Sequence, residues 1–176
     1  MAGTLTVQNI EGPSSGANAN KVIIPSGQTL YAPGHVVQVV TKEIATVNIG
    51  TTSTSLVDVT GSSLSITPSS ANSKILLTSY LMIYATTAAA PMWTAFYDVN
   101  NATTYSISSL EAYNSSAYNG TAQSAAKLLT PNSTETQNYK LQFGSYNARL
   151  VYINAAITSA TPYKATSYFI ATEIAG

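Results

Sequence analysis

Asn138-Tyr-Lys-Leu-Gln-Phe143 sets Tyr139, Leu141 and Phe143 on one side of an extended chain and Lys140 and Gln142 on the other. Side chains of a strand alternate between two faces, so this is a strand with one dry side and one wet side. Lys74-Ile-Leu-Leu-Thr-Ser-Tyr-Leu-Met-Ile-Tyr84 repeats the period with a difference. One face carries Ile75, Leu77, Leu81 and Ile83, the other Leu76, Tyr80, Met82 and Tyr84. Two apolar faces predict a central strand, or a strand whose second face meets another subunit. Met92–Val99 splits into Trp93, Ala95, Tyr97 and Val99 against Met92, Thr94, Phe96 and Asp98.

Working outward, runs rich in Val, Ile, Tyr, Phe and Thr recur between clusters of Gly, Pro, Asn and Ser. This pattern predicts strands over 5–9, 21–24, 35–42, 55–60, 63–67, 74–84, 92–99, 105–113, 138–143, 149–157 and 164–174. Helix signals are nearly absent. The fold class is therefore all-β, an antiparallel β-sandwich or jelly roll. Ala85-Thr-Thr-Ala-Ala-Ala-Pro91 reads as a hairpin connection, and 115–137 reads as a long loop with room for one helical turn at 121–129.

Ala32-Pro33-Gly34 marks a boundary. Before it, Glu11-Gly-Pro-Ser-Ser-Gly-Ala-Asn-Ala-Asn20 is too small and polar to bury a core. Residues 1–31 thus read as an extended N-terminal docking arm and 32–176 as the outer β-sandwich domain. Leu5, Val7, Val22, Ile23 and Ile24 are apolar enough to be buried, and addition to a partner's sheet edge would satisfy their backbone.

Composition narrows the function. Apolar residues make up 45% of the 176-residue chain and charged residues only 8%, against roughly 25% in an average soluble domain. Low charge removes a usual defence against association, which points to an oligomer; the plain alternative is a monomer solvated by hydroxyls. Seven basic and seven acidic residues are scattered singly, so the clustered cations of a nucleic-acid footprint are missing. No apolar run reaches the ~20 residues of a membrane span. Met1-Ala2-Gly3-Thr4 opens no signal peptide, so synthesis in a cytoplasm is expected.

Without cysteine and with one histidine, His35, thiolate chemistry and a zinc site lack ligands. No metal or other cofactor is expected. A Ser-His-Asp arrangement would have to use His35, which follows Gly34 and opens a run of valines, a setting for a structural imidazole. Paired carboxylates would have to come from Glu11, Glu43, Asp58, Asp98, Glu111, Glu135 and Glu173, all isolated in sequence. The expectation is a protein with no catalytic residues. Asn-X-Ser/Thr sequons at Asn101, Asn114, Asn119 and Asn132 fit chance in a chain rich in Asn, Ser and Thr. The aromatic content stands out: of twelve tyrosines, Tyr113 and Tyr118 sit among Ser, Asn and Gly, the composition of adaptable binding surfaces. They are candidate glycan contacts or sheet-edge rings. Tyr80, Met82 and Tyr84 are the candidate subunit interface.

The opening Gly3-Thr-Leu-Thr-Val-Gln-Asn-Ile-Glu-Gly-Pro-Ser-Ser-Gly-Ala-Asn-Ala-Asn-Lys-Val-Ile-Ile-Pro-Ser-Gly-Gln-Thr-Leu30 resembles the N-terminal segment of fibre-like structural proteins of marine bacteriophages, those of cyanobacteria among them. Pro33-Gly-His-Val-Val-Gln-Val-Val40, Ser63-Leu-Ser-Ile-Thr-Pro68, Ser73-Lys-Ile-Leu76 and Tyr168-Phe-Ile-Ala-Thr-Glu-Ile-Ala-Gly176 are similar to the outer domain that follows it. The resemblance implies a non-enzymatic virion protein, trimeric as such proteins usually are, touching other capsid or tail proteins. Longer relatives place repeats between arm and outer domain. Here Leu30 runs almost directly into Pro33, which favours a compact decoration or cement subunit or a short fibre. The alternative is a receptor-binding tail-fibre module recognising host-surface glycan.

Overall fold

A computed structural model describes residues 10–17, 19, 21–24, 26, 32–46, 48–85, 90–112, 119–155 and 166–176. The chain divides into two units, Met1–Ala32 and Pro33–Gly176. In the first, Gly16 takes a φ of 89° and its carbonyl accepts a hydrogen bond from the Ala19 amide. That left-handed conformation is one glycine adopts at no steric cost. Residues 21–24, expected as a strand, are irregular, and Val22, Ile23 and Ile24 are exposed. A strand needs a partner edge, and residues 21–24 pair with none among the described residues. Leu5 and Val7 lie outside the described residues.

The second unit is all-β. Its strands are β1 (Val36–Ile44), β2 (Ile49–Thr51), β3 (Val57–Asp58), β4 (Leu64–Ile66), β5 (Lys74–Ala85), β6 (Ala90–Asp98), β7 (Thr103–Ala112), β8 (Asn119–Leu129), β9 (Gln137–Ser145), β10 (Val151–Ile153) and β11 (Ser167–Ile174). They form two antiparallel sheets. The first runs β1-β11-β5-β10-β2, with β8 also paired to β5. The second runs β3-β9-β6-β7, with β4 also on β9. β5 pairs with β8 over Ile75–Ala85 and with β11 over Lys74–Tyr80, so it lies inside its sheet.

The core lies between the sheets. Ile75, Leu77, Leu81 and Ile83 of β5 meet Tyr139, Leu141 and Phe143 of β9, all buried. Phe96 of β6 stacks on Phe169 of β11 with centroids 5.6 Å apart, joining one sheet to the other. The alternation in 138–143 is therefore the true core signal, and Met92, Thr94, Phe96 and Asp98 form the buried face of β6.

Three sequence expectations fail for identifiable reasons. β8 is a strand of 11 residues where a loop and helical turn were expected. Its Ala and Ser content favours a helix locally, but the ladder to β5 decides the matter, as β-propensity is largely a matter of context. Ala85 and Ala90 do not bracket a hairpin, because β5 and β6 belong to different sheets; residues 86–89 lie outside the described residues. β2 was not foreseen. At three residues it is too short to show a period, and it exists because β10 offers an edge.

Candidate functional site

Each sheet turns one face to the core and one outward. In the first sheet, register places Tyr80 of β5 opposite Tyr168 of β11 and Ser124 of β8, and Tyr84 opposite Tyr152 of β10. These outward positions continue through Met82, Ile170, Leu128 and Val39. Tyr80 is 45% exposed and Leu128 and Val39 are exposed, while Met82 and Tyr84 are half-buried. The only charged outward positions in β1, β5, β8 and β11 are Glu43 on the edge strand and Lys74 at the end of β5. Thr41, Thr78, Thr172 and Ser124 lie between these apolar positions, and a face of apolar and hydroxyl side chains with its charges at the margin is a candidate interaction surface.

The outer face of the second sheet is mixed. In register across β9 and β6 lie Gly144 and Trp93, then Gln142 and Ala95, then Lys140 and Tyr97. Asp58 of β3 sits opposite Gln142. Lys140 Nζ lies 2.6 Å from Asp58 Oδ2 and Gln142 Nε2 donates to Asp58 Oδ1 at 2.9 Å. Partial burial works against the Asp58 charge, but the hydrogen bonds from Lys140 and Gln142 and the lysine's charge hold its carboxyl below the usual range. The Lys140 ammonium also stands 4.8 Å from the Tyr97 ring centroid.

Beside this polar row is an aromatic one. Trp93 covers Gly144 so closely that a Cβ there would lie 2.4 Å from the indole Nε1. Tyr146, 66% exposed, meets Trp93 edge-on with centroids 5.8 Å apart. Leu56, Trp93, Thr94 and Ala95 line a depression of about 200 Å³. Trp93 Nε1 is buried without a hydrogen-bond partner.

Of the residues expected from sequence to matter, Tyr113 and Tyr118 lie outside the described residues. Asp98 and Glu173 serve local structure. Asp98 accepts from the amides of Asn100 and Asn101 and from the Asn101 side chain, closing a turn. Burial, with Asp98 adding to it, pushes the neighbouring Tyr139 phenol up. Glu173, fully buried, accepts at Oε1 from the Ser69 amide (2.7 Å), Ser69 Oγ (2.6 Å) and Ser73 Oγ (2.7 Å), and at Oε2 from Gln38 Nε2 (2.6 Å). Among the described residues no three His, Asp or Glu side chains gather as metal ligands. His35 is half-buried at the mouth of β1, where its carbonyl accepts from Ala175 at 2.9 Å. That bond is a backbone one, so His35→Ala would leave it in place.

The sequence singled out neither Gly144 nor Tyr146. Trp93 was placed on its face correctly, but alternation alone does not show that a glycine lies opposite on the next strand.

No family model matches the chain, and no curated protein matches it. Among solved structures it is similar to the infectious bursal disease virus Gt strain structure, with TM-score 0.43 and 12% identity over 91% of this chain and 39% of that one. It is similar also to the VP2 subviral particle of the same virus, with TM-score 0.43 and 9% identity over 93% of this chain and 46% of that one. The Gx strain structure gives TM-score 0.37 and 10% identity over 88% and 36%. The chain thus spans less than half the length of these structures.

Proposed function

We propose that the protein is a non-enzymatic surface subunit of a bacteriophage particle, a capsid decoration or cement protein or a short fibre. It closes as a homotrimer and is docked on other virion proteins by residues 1–31. The observation that carries this reading is the outer face of the first sheet. It is broad and nearly free of charge, with Tyr80, Met82, Tyr84, Leu128 and Val39 set among threonine and serine, in a chain that carries little charge anywhere. A sheet face of this kind is normally covered, and a second copy of a chain this poor in charge supplies a matching apolar surface. The resemblance of residues 3–30 to phage fibre-like proteins supports the virion location.

The test is sedimentation of the intact chain, then of the chain lacking residues 1–31, each mixed with particles stripped of the protein. The intact chain should sediment as a trimer and attach. The truncated chain should keep its far-ultraviolet spectrum and its trimer and lose attachment. Normal attachment after truncation would refute the docking role. A second reading, recognition of host-surface glycan, is favoured by the aromatic depression at Trp93 and Leu56 on the opposite sheet.

A further inference from the structure

Carbohydrate recognition combines a flat aromatic surface, against which the C–H face of a sugar ring packs, with planar polar side chains that hold hydroxyls. The outer face of the second sheet presents both within two adjacent registers. Trp93 and Tyr146 supply the aromatic element, and tryptophan and tyrosine carry an apolar body with a polar tip. Small residues make the space: Ala95 forms the floor, and Gly144 admits the indole. Leu56 closes the far wall. In the next register, Gln142 donates to one oxygen of Asp58 and Lys140 binds the other. This holds an amide and a carboxylate in the register that includes Ala95. Among the described residues Gln142 Oε1 accepts no hydrogen bond.

We propose that this depression between Trp93 and Leu56, with Gln142 paired to its Ala95 and Asp58 paired to Gln142, binds a single hydroxylated sugar ring of a surface glycan. The volume of about 200 Å³ lies below the roughly 300–1,000 Å³ of pockets for drug-sized ligands, so one ring enters and the rest of a chain stays outside. Asp58 and Gln142 suit a neutral sugar, whose hydroxyls both donate and accept. An acidic sugar would meet the carboxylate. The inference rests on the glycan reading and gives it a site different from Tyr113 and Tyr118.

Trp93 is the only tryptophan of the chain, so its fluorescence reports the site directly. The intact protein is titrated with the methyl glycosides of glucose, galactose, mannose and N-acetylglucosamine, and with a proline-rich peptide as the competing class of aromatic-groove ligand. At least one glycoside should change the emission saturably in the millimolar range. Gln142→Ala and Tyr146→Ala should each weaken that sugar roughly tenfold, the effect of losing one hydrogen bond or one aromatic contact. Ala95→Leu should abolish binding by filling the floor, with the far-ultraviolet spectrum unchanged. If no glycoside binds, by fluorescence or by calorimetry, both this site and the glycan reading fall. Sugar binding seen by calorimetry that all three variants leave intact would overturn the site while sparing the reading. Saturation by the peptide alone would assign the depression to a protein partner instead.

Discussion

Glu173→Ala should destabilise the outer unit by about 3 kcal/mol or more, because it strands several buried hydrogen-bond donors at once. The Glu173 carboxylate is fully buried with no cation against it, among the described residues, and is held by Ser69, Ser73 and Gln38. Through it β11 is tied to β1 and to the turn that leads into β5. Gln38 Nε2 also donates to the Thr67 carbonyl at 2.7 Å, which extends the tie to the segment after β4. Burial raises the pKa of Glu173, but the hydrogen bonds from Ser69, Ser73 and Gln38 outweigh it and leave the group below its ordinary value.

The sign of the pH effect follows. A carboxylate whose folded pKa lies below its unfolded value, ~4.3, binds fewer protons folded than unfolded between the two. Its contribution is complete above the unfolded pKa and is lost as pH falls through the folded one. The urea midpoint should therefore drop as pH is lowered from about 6 to about 3. Asp58 shifts in the same direction, but its carboxylate is half exposed and its ion pair is worth little. Glu173→Gln should lower the midpoint at pH 6 and flatten the acid slope, since an amide does not titrate and its NH2 opposes the Gln38 donor. A variant with the wild-type slope would show that the pH dependence arises elsewhere.

How much of this was legible in the residues depended on the length of each periodic run. Residues 74–84 and 138–143 alternate long enough to fix their faces, and the core follows them. Strand β8 was hidden because Ala and Ser carry little face information: a burial pattern of Ala122, Gln123, Ser124 and Ala125 is visible only once β5 supplies the register. The crossover between β5 and β6 was hidden for another reason. A short link between two strands is compatible with a hairpin or a change of sheet, and the choice depends on which edges are already taken. The candidate sugar site was half legible. Trp93, Ala95 and Tyr97 share a face by simple alternation, whereas their neighbours Gly144, Gln142 and Lys140 are some fifty residues away and join them only through the β6–β9 ladder. Glu173 looked like one of seven isolated acids. Its three side-chain partners come from β1 and the segment before β5, more than 99 residues distant.

Tyr80→Asp should dissociate the proposed trimer and leave the subunit folded, while Leu81→Asp, one residue along, should unfold it. The two side chains leave the same strand on opposite faces. Leu81 is fully buried in the core and Tyr80 is 45% exposed on the outer face of the first sheet. An aspartate at 81 would be an unpaired charge in an apolar interior, and such a charge costs several kcal/mol, enough to exhaust the ~5–15 kcal/mol of a typical domain when added to the lost leucine packing. At 80 the carboxylate reaches water in the free subunit, so folding loses little. In the assembled trimer it would be desolvated at three equivalent places, and leaving one charge uncompensated in a buried contact costs ~3–5 kcal/mol by analogy with broken buried pairs. Met82→Asp, on the same outward face, should repeat the Tyr80 result. Sedimentation velocity and far-ultraviolet dichroism on the same samples separate the outcomes: a folded monomer for Tyr80→Asp, loss of the β spectrum for Leu81→Asp. A Tyr80→Asp protein that still sediments as a trimer would move the interface to another surface. A wild-type chain that sediments as a monomer at micromolar concentration would refute the trimer itself.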